Sequence, residues 1–239
     1  MRKQLESEIK SILISNLINK GLLSVEDTLI NELNLGDFSR RVDLAILKKD
    51  KIHAYEIKSE GDSLIRLNAQ VQKYLEYFDK VTVVTAPKHT AKAVQMTPSN
   101  VAIWELSGSE LKIIRKGKIN SKIDKLKLIE FMTVSDLIRL AKNENIALSH
   151  TTRDFLAQNL IYLSSNKLRK SAIQALKNRY KKNSQNFLDQ IENSTNITPH
   201  DLSHLKRRTK IQAVTQPELD LNSLISILEN FKQQKLGSD

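Results

Sequence analysis

The sequence predicts an α/β protein with an αβββαβ core and an all-helical C-terminal region. Two observations carry this. Up to about residue 120, short runs rich in Val, Ile and Leu alternate with segments of helical apolar spacing. From Lys125 onward the strand signals stop and helix-capping patterns recur at Thr133/Asp136, Thr151/Asp154 and Thr198/Asp201. The division expected is an α/β domain over residues 1–124 and a basic helical domain over 125–239. At 239 residues, with only 6 Gly and 4 Pro, the chain can bury a large core and has little loop-forming composition.

The elements follow in order. Leu5, Ile9, Ile12, Leu13 and Leu17 recur at helical spacing over Arg2 to Asn19, and Gly21 supplies a stop. Thr28 to Leu35 reads as a strand. Arg41 to Lys48 and Lys51 to Lys58 flank a polar turn at Lys49-Asp50 and read as a hairpin. Ser63 to Phe78 is helical, Lys80 to Thr85 is a compact strand, and a short helix covers Lys88 to Gln95. Two further strands, Val101 to Leu106 and Leu111 to Lys116, flank Ser-Gly-Ser. Beyond them the longest helix runs from Asn166 to Ile191.

Charge narrows the partner. The net charge is +11, and Lys and Arg gain affinity for a polyanion by releasing counterions from its phosphates, so nucleic acid, DNA in the first instance, is expected. The stretch holding Lys167, Arg169, Lys170, Lys177 and Arg179 contains no acid and reads as the grip on phosphates. No helix pairs a wide apolar face with a basic one, so a membrane is not the expected partner. A homo-oligomer is left open. Absence of Cys excludes a disulfide framework and cysteine-ligated zinc, and the expected location is cytoplasmic. His53, His89, His150 and His204 lack metal-ligand spacing between them, Trp104 is expected in the core, and no Gly-rich phosphate loop or nucleophile elbow is present.

The hairpin holds the chemistry. Strand side chains alternate faces, so Glu56 and Lys58 point the same way, and a turn centred on Lys49-Asp50 sets Asp43 opposite Glu56. Facing carboxylates repel, and a divalent cation removes that penalty. Two acids can hold Mg²⁺ or Mn²⁺ through oxygen, while an ammonium beside them orients a water and offsets phosphate charge. Taken singly, Asp43 also fits a strand-end acid paired with Arg40 or Arg41, and Glu56 and Lys58 a solvated edge. On the next helix Asp62, Arg66, Gln70 and Tyr74 form one stripe beside the apolar arc, a placement suited to lining a cleft.

These motifs carry a resemblance. The element order, with VDLAIL…YEIKS, resembles the core of the PD-(D/E)XK nuclease superfamily, which has the restriction-endonuclease-like fold. More narrowly, Glu56-Ile57-Lys58-Ser59 followed by Asp62, Ser63, Arg66, Leu67, Gln70 and Tyr74 resembles the sce-type family of bacterial and phage-borne proteins, over residues 24 to 105. The resemblance implies metal ligation by Asp43, Glu56 and the Ile57 carbonyl, with Lys58 as the catalytic lysine. Gln70-x-x-x-Tyr74 is similar to an element that helps hold the site in RecB-like nucleases. Many superfamily members add an acid from the first helix, for which Glu6 and Glu8 are the candidates, with Glu32 of the first strand as the alternative. The expected function is metal-dependent phosphodiester hydrolysis. The alternative is a non-catalytic nucleic-acid-binding or phage regulatory protein on a dormant nuclease fold.

Overall fold

The structure is a computed structural model describing residues 5–36, 40–120, 122–191 and 196–205. Helix α1 (Glu6–Asn19) precedes β1 (Thr28–Leu35), β2 (Arg40–Lys48) and β3 (Lys51–Lys58). Then come α2 (Leu67–Tyr77), β4 (Lys80–Thr85), α3 (Pro87–Met96), β5 (Ala102–Ser107) and β6 (Glu110–Arg115). Helices α4 (Lys125–Glu130), α5 (Val134–Asn143), α6 (Arg153–Leu160) and α7 (Ser165–Ile191) follow, and a 3-10 turn, Asp201–Leu205, ends the described chain. The expected order of elements is present. Helix α2 starts later than expected, because Asp62 closes a turn on Ser59 N and Oγ (2.7 and 2.6 Å), which keeps Ser63 to Ile65 out of the helix.

The six strands form one mixed sheet in chain order, β1 to β6. β1–β2–β3 and β5–β6 are antiparallel, whereas β3–β4 and β4–β5 are parallel. Parallel neighbours need a crossover, and α2 and α3 provide the two. Lys49, at φ 54°, makes the tight β2–β3 turn, and Lys48 pairs with Lys51 and Leu44 with Tyr55, the register expected from the turn.

Both faces of the sheet are covered. One carries Ile52, Ala54, Val81 and Val83 against α2, and the same cluster takes in Leu128 of α4, Leu137 of α5, Leu156 of α6 and Leu176 of α7. The other carries Leu44, Tyr55, Ile57 and Val84 against Ile9 and Leu13 of α1 and Phe187 near the end of α7. Trp104 sits in this second cluster, edge-on to Tyr55 at 5.8 Å, as expected of a core residue.

The boundary expected at 124/125 does not divide the core. Residues from Leu128 to Leu176 bury apolar side chains in the first cluster and Phe187, Leu188 and Ile191 in the second, and the described residues all belong to one compact unit. Short helices such as α4 and α6 bury too little surface by themselves, and the sheet supplies the missing face. The basic cluster Lys206-Arg207-Arg208, and the rest of the expected helical domain beyond it, lie outside the described residues.

One rung breaks the alternation. Ile30 and Leu33 of β1, three residues apart, share a core face, as do Val42 and Ala45 of β2. The rung between Asn31↔Leu44 and Leu33↔Val42 belongs to Glu32 and Asp43. Glu32 there adopts φ 60°, a left-handed conformation that costs a non-glycine residue energy and marks constrained positions. Both strands are re-phased at the rung that bears the first acid of the expected site.

Candidate active site

Asp43, Glu56 and Lys58 line one cleft of ≈ 260 Å³. Glu56 and Lys58 lie two residues apart on β3, on the face that packs against α2, and both are buried. The Lys58 ammonium donates to Glu56 Oε1 at 2.7 Å and to Gln70 Oε1 at 3.1 Å. Gln70 Nε2 donates to the same Glu56 Oε1 at 2.5 Å. Tyr74 OH lies 2.8 Å from Glu56 Oε2 and 2.9 Å from the Arg41 carbonyl, so its one proton is shared between them. Helix α2 thus presents Gln70 and Tyr74, one turn apart, to the acid of β3.

Asp43 comes from the neighbouring strand. Its Oδ2 accepts the Ile57 backbone N–H at 2.7 Å, so the side chain closes the end of the β2–β3 ladder. Burial pushes its carboxyl up to about 8, assisted by the negative charge of Glu56 and less by that of Glu6, against the Ile57 N–H and Lys10. Burial also raises the Tyr74 hydroxyl, with Glu56 next in importance.

Of the three further acids expected, only Glu6 reaches this cleft. Glu8 is turned back to cap its own helix, accepting the Leu5 N–H at 2.9 Å. Glu32 pairs with Arg41 at 3.3 Å and borders a separate cavity. Lys10, one turn after Glu6, is buried and holds it at 3.3 Å while donating to Asn31 at 2.9 Å. Lys10 escaped the sequence reading, although its i,i+4 spacing from Glu6 was the available signal.

Asp62 and Arg66 line the cleft as expected, with Asp62 on the loop ahead of α2 rather than on the helix. Tyr74 is fully buried beneath Glu56 and does not line the opening. Arg40 and Arg41, expected as partners of a strand-end Asp43, also border the cleft.

The basic stretch on α7 behaves differently from expectation. Arg169 donates to both oxygens of buried Asp79 (2.9 and 3.0 Å), Lys167 pairs with Glu144, and Arg179 donates to the Phe131 carbonyl. These three tie α7 to the rest of the molecule. Their partners lie far away in sequence, so local composition could not reveal them. Lys170 is exposed and Lys177 half-buried, and these two remain suited to a phosphate backbone.

Asp43, Glu56, Ile57 and Glu6 border one cleft, and carboxylate and carbonyl oxygens are the donors that would suit Mg²⁺ or Mn²⁺ if drawn onto one ion. The fit rests on Asp43, where burial and two neighbouring acids disfavour the charged form that a cation would favour. Among the described residues no three acids or histidines already converge as a metal cage. No helix among them is long and apolar enough to cross a membrane.

Comparison with known proteins places the chain. The family model described as "Bacteriophage P4 protein cII" matches residues 1–206. Protein cII of Enterobacteria phage P4 is 38% identical over 246 residues, which covers 98% of this chain and 92% of that protein. A solved structure, the SPO1766 protein of unknown function from Silicibacter pomeroyi, is similar at 19% identity and a TM-score of 0.41, over 62% of this chain and 98% of that one. The last likeness is too weak to carry an argument. On the first two, the chain belongs to the bacteriophage P4 protein cII family.

Proposed function

We propose that this protein is a metal-dependent nuclease with a restriction-endonuclease-like core, hydrolysing phosphodiester bonds in DNA. The observation that carries the reading is the Glu56 carboxylate, held by Lys58, Gln70 and Tyr74 in the same cleft as Asp43 from the next strand. Asp43, Glu56 and the Ile57 carbonyl would hold Mg²⁺, with Glu6 in reach of the same cleft. When bound, the ion supplies a Lewis acid for the phosphate and lowers the pKa of a water. The remaining tasks fall to side chains. Lys58 orients the attacking water and offsets charge on the phosphate, and Gln70 fixes the ammonium relative to Glu56. Tyr74 prevents rotation of Glu56 by holding its second oxygen. Arg66, exposed at the mouth, receives the incoming backbone.

A second reading has its own support. The family is one of phage proteins, and both oxygens of Glu56 are already bonded within the protein, as suits a dormant nuclease fold that binds nucleic acid without cutting it. One experiment separates the two. Purified protein is incubated with supercoiled, linear and branched DNA in Mg²⁺ and in Mn²⁺. Cleavage that disappears in Lys58→Ala and Asp43→Ala supports the nuclease. Binding without cleavage on every substrate and with both metals establishes the dormant fold.

A further inference from the structure

A second cavity of ≈ 730 Å³ lies along α2 from the cleft, walled by the end of β1, α2, α4, the start of α6 and α7. Four cations, Lys73, Lys127, Arg153 and Arg179, border it together with one carboxylate, Glu130, which accepts from Tyr77 OH and pairs with Lys127 at 3.0 Å. Arg153 donates to the carbonyls of Met132 (2.9 Å) and Glu130 (3.3 Å) and has no carboxylate partner among the described residues, so it adds positive charge without an acid to answer it. Lys73 and Lys127 lie 5.2 and 5.1 Å from the centre of the buried Tyr77 ring, which holds the two ammonium groups in place by cation–π attraction. Their other shared partner, Glu76 at 3.0 and 3.6 Å, is 44% exposed and can yield to a stronger anion.

We propose that this cavity binds the phosphate of a nucleotide, either free or carried by a strand that continues from the cleft. Its volume is in the range of small-ligand sites, and Leu33, Phe131 and Tyr180 provide an apolar wall for a base. Its position supports the strand-borne case. Arg66 at the cleft mouth and Lys73 are seven residues apart, which places them on the same side of α2 and separates them by about 10 Å along its axis. A strand following that line passes from one cation to the other. The strand-borne form rests on the nucleic-acid reading above, whereas binding of a free nucleotide does not, so the two fail separately.

The test is calorimetric titration of the full chain, in chelator so that no turnover occurs, with ADP and with a short oligodeoxynucleotide. Saturable binding of ADP identifies a free nucleotide, and binding of the oligonucleotide alone identifies a strand. In either case Lys73→Glu/Lys127→Glu loses about tenfold or more in affinity, the scale of a charge-assisted contact. Lys58→Ala, which alters only the cleft, leaves ADP affinity unchanged. Circular dichroism melting checks the fold, and Lys73→Glu alone substitutes if the double variant does not fold. No saturable binding of either ligand at millimolar concentration overturns the proposal. So does binding that Lys58→Ala removes and the cavity variants retain.

Discussion

Two aspartates, Asp79 and the half-buried Asp43, differ in how their charge is met. Asp79, fully buried beside β4, accepts the Ile52 N–H at 2.8 Å, is gripped through both oxygens by Arg169 at 2.9 and 3.0 Å, and has Lys51 at 3.9 Å. Asp43 accepts one backbone N–H, feels Glu56 and Glu6 nearby, and has its carboxyl pushed up to about 8. Both acids are shielded from water, Asp79 completely and Asp43 in part. Only the second lacks an ion-pair partner among the described residues, and it is the one that opens onto a cleft. Burial of an acid therefore says little about function until its partners are known.

The largest effect expected from this contrast is on turnover. Lys58→Ala should lower the DNA cleavage rate by about 10²–10⁴-fold, the usual contribution of a positioned proton-transfer group. A rate within a factor of about two of the parent would remove Lys58 from the chemistry.

Next comes Arg169→Ala, which strands the Asp79 charge and should cost about 3–5 kcal/mol of stability, read by denaturant unfolding. DNA affinity of the folded fraction should stay the same. A selective loss of DNA binding with intact stability would restore the phosphate-gripping role expected from composition.

Asp43→Asn should act in the opposite direction. A carboxyl near 3.8 in the unfolded chain and about 8 when folded keeps its proton better in the folded state. The parent therefore loses stability as pH rises from about 4 to about 8, and beyond that the loss is complete. The asparagine variant escapes the loss, so its Tm should match the parent's near pH 4 and exceed it at pH 8. Adding Mg²⁺ at pH 8 should raise the parent's Tm and leave the variant's where it was. Equal melting temperatures across this range would mean that the Asp43 carboxyl is not under strain.

The smallest effect belongs to Lys170→Ala and Lys177→Ala. Stability should change by less than about 0.5 kcal/mol, while the salt dependence of DNA binding weakens by about one counterion for each.

The sequence made the hairpin legible because a two-residue turn and a period of two fix a register without help from the rest of the chain; Leu44 against Tyr55 follows directly. Gln70 and Tyr74 were legible for the same reason, since helical spacing is local. What stayed hidden depends on distant partners. Arg169 is separated from Asp79 by 90 residues, and nothing around it distinguishes an internal clamp from a solvent-facing cation. The choice of Glu6 over Glu8 turned on which side of α1 meets the sheet, and the turn of Glu32 into left-handed backbone has no compositional signature.

The shared core has a consequence for synthesis. With strands laid down in chain order, the cleft's side chains are all present once Tyr74 has been made, but the greasy side of the sheet waits for Leu176 of α7. At ordinary ribosomal speeds that interval is roughly 5–20 s. A truncated 1–124 fragment would stay in that half-dressed state permanently. It would carry the whole reactive constellation on a scaffold prone to precipitate.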